Sequence, residues 1–200
     1  KLTGIPDPEG CMNKYPHELS GGMRQRVMIA CAMVTYPKLL IADEPTTALD
    51  VTIQAQIIAL MEELQEKTGM SIIIITHDLG IVADMADEII IMYAGEIVER
   101  GTARDIFYNQ QHPYTWALLQ SVPRIDSEDK SILNTIEGNI PDMIKPPKGC
   151  GFCPRCPYAM EICAEEKPET VQLTENHSVS CWLMDERADR CDVPFGRKNV

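Results

Sequence analysis

The chain has 200 residues, a formal charge of −12 and an apolar share of 44%, which leaves room for one domain or for one domain with a small appendage. The acidic balance argues against nucleic acid as a partner, because phosphate binding needs a basic footprint. No apolar run nears the roughly 20 residues that span a bilayer, and no charged-then-apolar leader opens the chain, so a soluble chain is expected whose membrane association comes through a partner.

Residues 1–14 carry Gly, Pro and charge without periodicity, and Lys1 is an unusual natural start; the reading is a beginning cut through an existing domain. From Met23 the apolar residues Val27, Ile29, Ala30, Met33 and Val34 suit a helix ending before Pro37. Ser20, Gly21 and Gly22 then occupy its N-terminus, where free N–H groups and the positive dipole end favour an anion and glycine lets a phosphate come close. By themselves the three residues more often describe an ordinary N-cap with two flexible glycines.

Leu39–Ala42 is a continuous apolar run, which predicts a strand buried on both faces of a parallel sheet. Asp43 and Glu44 stand at its end, where open α/β sheets bind ligands. Adjacent acids there are costly unless a cation or a proton accounts for them; a solvated turn through Pro45, Thr46 and Thr47 is the plainer alternative. Ile53, Ile57, Leu60, Met61 and Leu64 line one face of a helix over Val51–Lys67 that Gly69 can stop, a core stripe with no functional weight. Ser71–Thr76 is a second buried strand with His77 at its end. A lone histidine there is more often structural, but parallel strands bring their carboxyl ends to one edge, so His77 and Glu44 can meet in one crevice. A short helix over Leu79–Ala86 follows. Glu88–Tyr93 and Glu96–Arg100 then form a hairpin through Ala94–Gly95, and Thr102–Tyr108 and Tyr114–Leu119 look helical. The polar, proline-bearing stretch 127–147 predicts a linker.

Of eight cysteines, Cys11 and Cys31 stand alone, Cys191 lies near the end, and the rest fall between Cys150 and Cys181. That clustering reads better as metal or iron-sulfur ligation than as disulfides, with unligated reduced thiols as the alternative. Spacing alone points to Cys150, Cys153 and Cys156, since C-x2-C-x2-C opens a bacterial ferredoxin-type run.

Leu19-Ser20-Gly21-Gly22-Met23-Arg24-Gln25-Arg26, then Leu39 to Glu44, then Thr47-Ala48-Leu49-Asp50, then Ile72 to Asp78 resemble, in order, the signature loop, Walker B strand, D-loop and H-loop of the ATP-binding subunits of ABC transporters. The resemblance implies an α/β fold: a partial P-loop NTPase parallel sheet with flanking helices over residues 1–123, a linker over 124–147, and a small Cys-rich C-terminal module over 148–200. It also implies ATP and Mg2+ as ligands. Asp43 would hold the ion through water; Glu44 would polarise the attacking water as general base, and His77 would contact the γ-phosphate. Ser20, Gly21 and Gly22 would bind that phosphate from the opposite subunit, and Asp50 would join the two subunits' sites. Met23 replaces the glutamine of the commonest signature.

Gln111-His112-Pro113-Tyr114-Thr115-Trp116-Ala117-Leu118-Leu119 resembles the extension of the oligopeptide and dipeptide importer ATPases. Those proteins carry C-x-F-x-x-R-C, a further C, and H-x-V-x-C, which here fall on Cys150, Cys156, Cys163, His177 and Cys181. The resemblance thus implies Cys150, Cys156, Cys163 and Cys181 as ligands of a four-iron [4Fe-4S] iron-sulfur cluster, with Zn2+ as the alternative, Cys153 as an extra thiol and His177 as a packing residue. The implied partners are a second ABC ATPase subunit in a homo- or heterodimer, two membrane permease subunits and, indirectly, an extracytoplasmic solute-binding protein, on the cytoplasmic side of the membrane. Solute identity, whether peptide, nickel or another small solute, is not fixed. No G-x-x-x-x-G-K followed by Ser or Thr occurs in the chain, so the expectation is the C-terminal part of a longer ATPase, without hydrolysis on its own. Two rival readings are a non-transport ABC ATPase and a metal or redox module carrying an inactive ATPase remnant.

Overall fold

The computed structural model describes residues 2–47, 49–122, 136–188 and 193–196. Ala48 of the D-loop, Cys191 and the first part of the expected linker lie outside the described residues. Two compact units divide the chain, residues 1–85 and 86–200.

The first unit runs α1 (Pro8–Cys11), α2 (Gly21–Met33), β1 (Leu39–Asp43), α3 (Val51–Thr68), β2 (Ser71–Ile75) and α4 (Leu79–Met85). Local chemistry sets the boundaries. Ser20 caps α2, its Oγ accepting the Met23 N–H at 3.3 Å, and Asp50 caps α3, its Oδ1 accepting from Ile53 at 3.0 Å. Gly69 closes α3 at φ 69°, a conformation glycine adopts at little cost. The strands pair in parallel from Leu39↔Ser71 to Asp43↔Ile75, so Asp43 and the last residue of β2 end side by side.

The core of this unit is Ile29 and Met33 of α2, Leu40 of β1, Ile57, Leu60, Met61 and Leu64 of α3, and Met70, with Ala42, Ile72 and Ile74 packed against it. Only one face of the strand pair takes part. Leu39, Ile41, Ile73 and Ile75 point the other way and are exposed, which corrects the expectation of strands covered on both sides. The physical reason is the twofold alternation of a strand: within this unit α2 and α3 cover one of the two faces.

The second unit builds a four-stranded sheet in the order β3-β4-β6-β5 from β3 (Glu88–Tyr93), β4 (Glu96–Thr102), β5 (Thr170–Gln172) and β6 (Ser178–Ser180). The β3–β4 hairpin turns through Ala94 (φ 49°) and Gly95 (φ 78°), both left-handed, the pairing that matches strand twist in a two-residue turn. Helices α5 (Ala103–Tyr108), α6 (Pro113–Gln120) and α7 (Glu161–Glu165) complete it. Thr102 and Asp105 form a reciprocal capping box at the start of α5, and β6, just before Cys181, pairs with β4 at Glu99↔Val179 and Arg100↔Ser178. An aromatic cluster of Tyr93, Tyr114 and Phe152 joins hairpin, α6 and cysteine loop at centroid separations of 4.7 to 5.4 Å.

Candidate functional site

Of the residues that the motifs single out in the first unit, the ends of β1 and β2 bring together Asp43, Glu44 and His77. Glu44 follows β1 with φ 47°, a left-handed conformation uncommon for any residue but glycine and one that accumulates at functional sites. Its backbone N–H donates to the Ile75 carbonyl at the end of β2, 2.9 Å away, so the turn is pinned to the neighbouring strand. The carboxylate that this turn aims receives two bonds: Thr47 Oγ1 donates to Oε2 at 2.7 Å, and His77 Nδ1 lies 2.8 Å from Oε1. Asp43 is exposed beside it.

The pair perturbs both titrations. The His77 hydrogen bond, then the Thr47 bond, hold the Glu44 carboxyl below its ordinary value of 4.5. The Glu44 bond and its charge raise His77 above 6.5. Glu44 contributes above 4.5 and loses its contribution as pH falls through its lowered pKa; His77 contributes below 6.5 and loses it as pH rises through its raised pKa. The imidazolium–carboxylate pair is therefore complete between those two ordinary values. With the His77 side chain 81% exposed, solvent screens it and no stability figure attaches. In an NMR titration the His77 imidazole is expected to have a midpoint above 6.5 that drops towards it in Glu44→Gln; an unchanged midpoint would refute the pairing.

Asp78 is fixed on both oxygens. Gln54 Nε2 donates to Oδ2 at 2.7 Å, and the Gly80 and Ile81 amides donate to Oδ1 at 2.9 and 3.4 Å. Gln54 lies one turn beyond Asp50 on α3, so the helix that Asp50 starts also steadies the residue after His77. Sequence reading passed over Gln54; its only signal is a polar residue four positions after a cap.

Ser20, Gly21 and Gly22 form the start of α2, with Ser20 exposed. The glycines have a packing role as well. A Cβ on Gly22 would meet Ile53 Cγ2 at 2.7 Å, and one on Gly21 would meet Leu49 Cδ2 at 3.2 Å. The start of α2 and the first turn of α3 therefore lie too close for a side chain at position 22.

In the second unit the cysteine loops abut closely. The Cys150 N–H donates to the Cys163 carbonyl at 2.8 Å, and a Cβ on Gly149 would sit 2.3 Å from that same oxygen. Cys150, Cys153, Cys156, Cys163 and Cys181 are free thiols. Burial raises Cys150, and pushes Cys156 and Cys181 up to about 12, with smaller contributions from the neighbouring thiolates in each case. Among the described residues, however, no three or more His, Cys, Asp or Glu side chains are set as a group that could hold a metal ion.

Arg155 ties this region down, donating to the carbonyls of Ile136 and Glu137 at 2.7 and 3.0 Å and to the Tyr93 hydroxyl at 3.2 Å. The same unit holds a group that sequence reading missed. Glu99, 1% exposed, accepts from the Gln111 N–H at 2.6 Å, the His112 N–H at 3.0 Å and His177 Nε2 at 2.9 Å. A buried carboxylate is costly unless fully hydrogen-bonded, and these donors supply that. His112 is pushed down to about 3 by burial and its Nδ1 accepts the Tyr114 N–H at 3.0 Å, so it caps α6 as a neutral ring.

With this geometry in view, the comparisons with known proteins are specific. A family model described as ABC transporter matches residues 2–47, and one described as oligopeptide/dipeptide transporter, C-terminal region, matches residues 98–163. A dipeptide transport ATP-binding protein DppD of Bacillus subtilis is 54% identical over 188 residues, 94% of this chain and 56% of that protein. The oligopeptide transport ATP-binding protein OppD of the same bacterium is 54% identical over 97% of this chain and 54% of its own length, and a DppD of Haemophilus influenzae is 60% identical over 84% of this chain and 51% of its own. The chain belongs to the ATP-binding subunits of ABC transporters. Its branch is that of the oligopeptide and dipeptide transporters, and it spans about half the length of the curated relatives it matches. Among the described residues no helix is long and apolar enough to cross a membrane.

Proposed function

We propose that the chain is the C-terminal part of an ATP-hydrolysing subunit that drives import of di- or oligopeptides. The observation that carries this is the meeting of Glu44 and His77 at the ends of two parallel strands, 2.8 Å apart, with Asp43 alongside. In this reading Asp43 is the carboxylate available to Mg2+, Glu44 orients and polarises the attacking water, and His77 lies within reach of both Glu44 and a terminal phosphate. The left-handed turn at Glu44 is what aims it. Positioning and charge compensation are most of what a protein contributes to phosphoryl transfer. Ser20, Gly21 and Gly22, at an exposed helix start, present N–H groups to the nucleotide of a second ATPase subunit, and Asp50 stands at the joint between the two. Two permease subunits and a solute-binding protein complete the assembly, with this subunit peripheral on the cytoplasmic face.

The thiols of Cys150, Cys156, Cys163 and Cys181 are proposed to hold a [4Fe-4S] iron-sulfur cluster, with Zn2+ as the alternative. Support comes from the donor type and the closeness of the loops: thiol sulfur suits a soft cation, and the Cys150 N–H meets the Cys163 carbonyl at 2.8 Å. Such a centre would cross-link the loops, and the protein's part would be to bring the sulfurs from separate turns. The function is tested with the complete subunit and its permeases in sealed vesicles. ATP-dependent accumulation of a labelled peptide is expected, and uptake that is indifferent to ATP would overturn the reading. Iron and acid-labile sulfide in equal amounts in the anaerobically purified protein support the cluster; zinc alone supports the alternative.

A further inference from the structure

Glu99 stands between the two segments of the second unit that carry the peptide-importer pattern. On one side its carboxylate closes the turn before α6 by accepting the Gln111 and His112 N–H groups. On the other it accepts from His177 Nε2, on the residue before β6, and that strand leads directly into Cys181. The backbone repeats the link, since Glu99 and Val179 are register partners. His177 is fully buried, and its carbonyl accepts from the Leu173 and Thr174 amides. Its Nδ1 has no hydrogen-bond partner among the described residues and faces Asp105 Oδ1 at 3.8 Å. Among the described residues the hydrogen bond that holds the ring is therefore the one to Glu99.

We propose that Glu99 is a joint coupling the cysteine group to the Gln-His-Pro-Tyr turn, so that a change at the thiols is transmitted to residues 111–120 and a change in that turn is transmitted back. The carboxylate cannot release one side freely. Losing His177 leaves a buried anion short of a donor and weakens its hold on both amides, while losing the amides does the same to the imidazole. Glu99 and His177 are positioning residues in this scheme. The coupling needs no metal, although one bound at the thiols would act through it.

The test uses the complete subunit and reads two things at once: amide hydrogen exchange at residues 111–120 and the alkylation rate of Cys181. His177→Asn removes the cross-link while leaving both backbone donors to Glu99. It is expected to raise both rates together by about tenfold, as loss of one buried charge-assisted hydrogen bond would. Glu99→Gln should do the same, whereas Glu88→Gln, which breaks an exposed ion pair with Arg100 on the same sheet, should change neither. Faster alkylation with unchanged exchange in His177→Asn, or an equal effect from Glu88→Gln, overturns the joint. Added Zn2+ gives a second perturbation. If the thiols take it up, exchange at 111–120 must slow in the unmodified protein and not in His177→Asn; slowing in both overturns the proposal. If they do not take it up, the zinc alternative fails and the alkylation arm still decides the coupling.

Discussion

Glu44→Gln in the complete subunit is expected to lower ATP turnover by about 10²–10⁴-fold, the usual range for loss of a general base, with nucleotide binding retained. Glutamine preserves the shape of the side chain and can still accept the Thr47 hydroxyl, so the turn that ends β1 is undisturbed. What goes is the negative charge that His77 pairs with and that would draw a proton from water. The companion variant His77→Gln separates the two contributions. If His77 serves mainly to hold Glu44, its loss lowers turnover and returns the Glu44 titration towards 4.5; if it serves only the phosphate, the Glu44 titration stays where it is. Steady-state hydrolysis and nucleotide binding measured on one preparation decide the matter. A Glu44→Gln protein that hydrolyses ATP normally would remove this carboxylate from the mechanism.

Ile57→Ala is expected to destabilise the first unit by about 2–5 kcal/mol. Ile57 is fully buried at the centre of α3, among Leu60, Met61 and Leu64 of its own helix, α2 and the inner face of the strands. Truncation removes three methyl or methylene groups from water-free packing and leaves a cavity that two helices and a sheet cannot easily collapse into. The control is Ile41→Ala. Ile41 has the same chemistry but is 61% exposed on the outer face of β1, and its loss in this chain should stay within about 0.5 kcal/mol. Urea midpoints of the two variants are to be compared, and equal shifts would mean that the inner face of the strand pair is not where the core lies.

The convergence of Glu44 and His77 was legible because it follows from topology: two apolar runs in a parallel sheet must end at one edge, whatever else the chain does. Helix limits were legible for a related reason. Ser20, Asp50, Thr102 and Gly69 act through bonds spanning three or four residues, within the reach of local pattern. Glu99 was not legible. Its partners lie 12, 13 and 78 residues away, and a glutamate in a strand beside an exposed Arg100 gives no sign of being buried. The outer faces of β1 and β2 show the converse limit. A run of leucine and isoleucine reports a residue's preference for cover, not which layer supplies it, and here Ile73 and Ile75 are half exposed. Nor could any local pattern reveal the φ of Glu44, since the bond that pins this turn runs to Ile75 on the neighbouring strand.

That angle sets durability against reactivity at a single residue. The amino acid most at ease in a left-handed turn is glycine, which lowers its conformational cost by roughly 1–2 kcal/mol, and glycine has nothing with which to activate water. In a search for heat-hardened forms of this subunit, Glu44→Gly would relieve the turn while discarding the carboxylate and its bonds to Thr47 and His77. Selection for both properties has to weigh catalytic output from the first round.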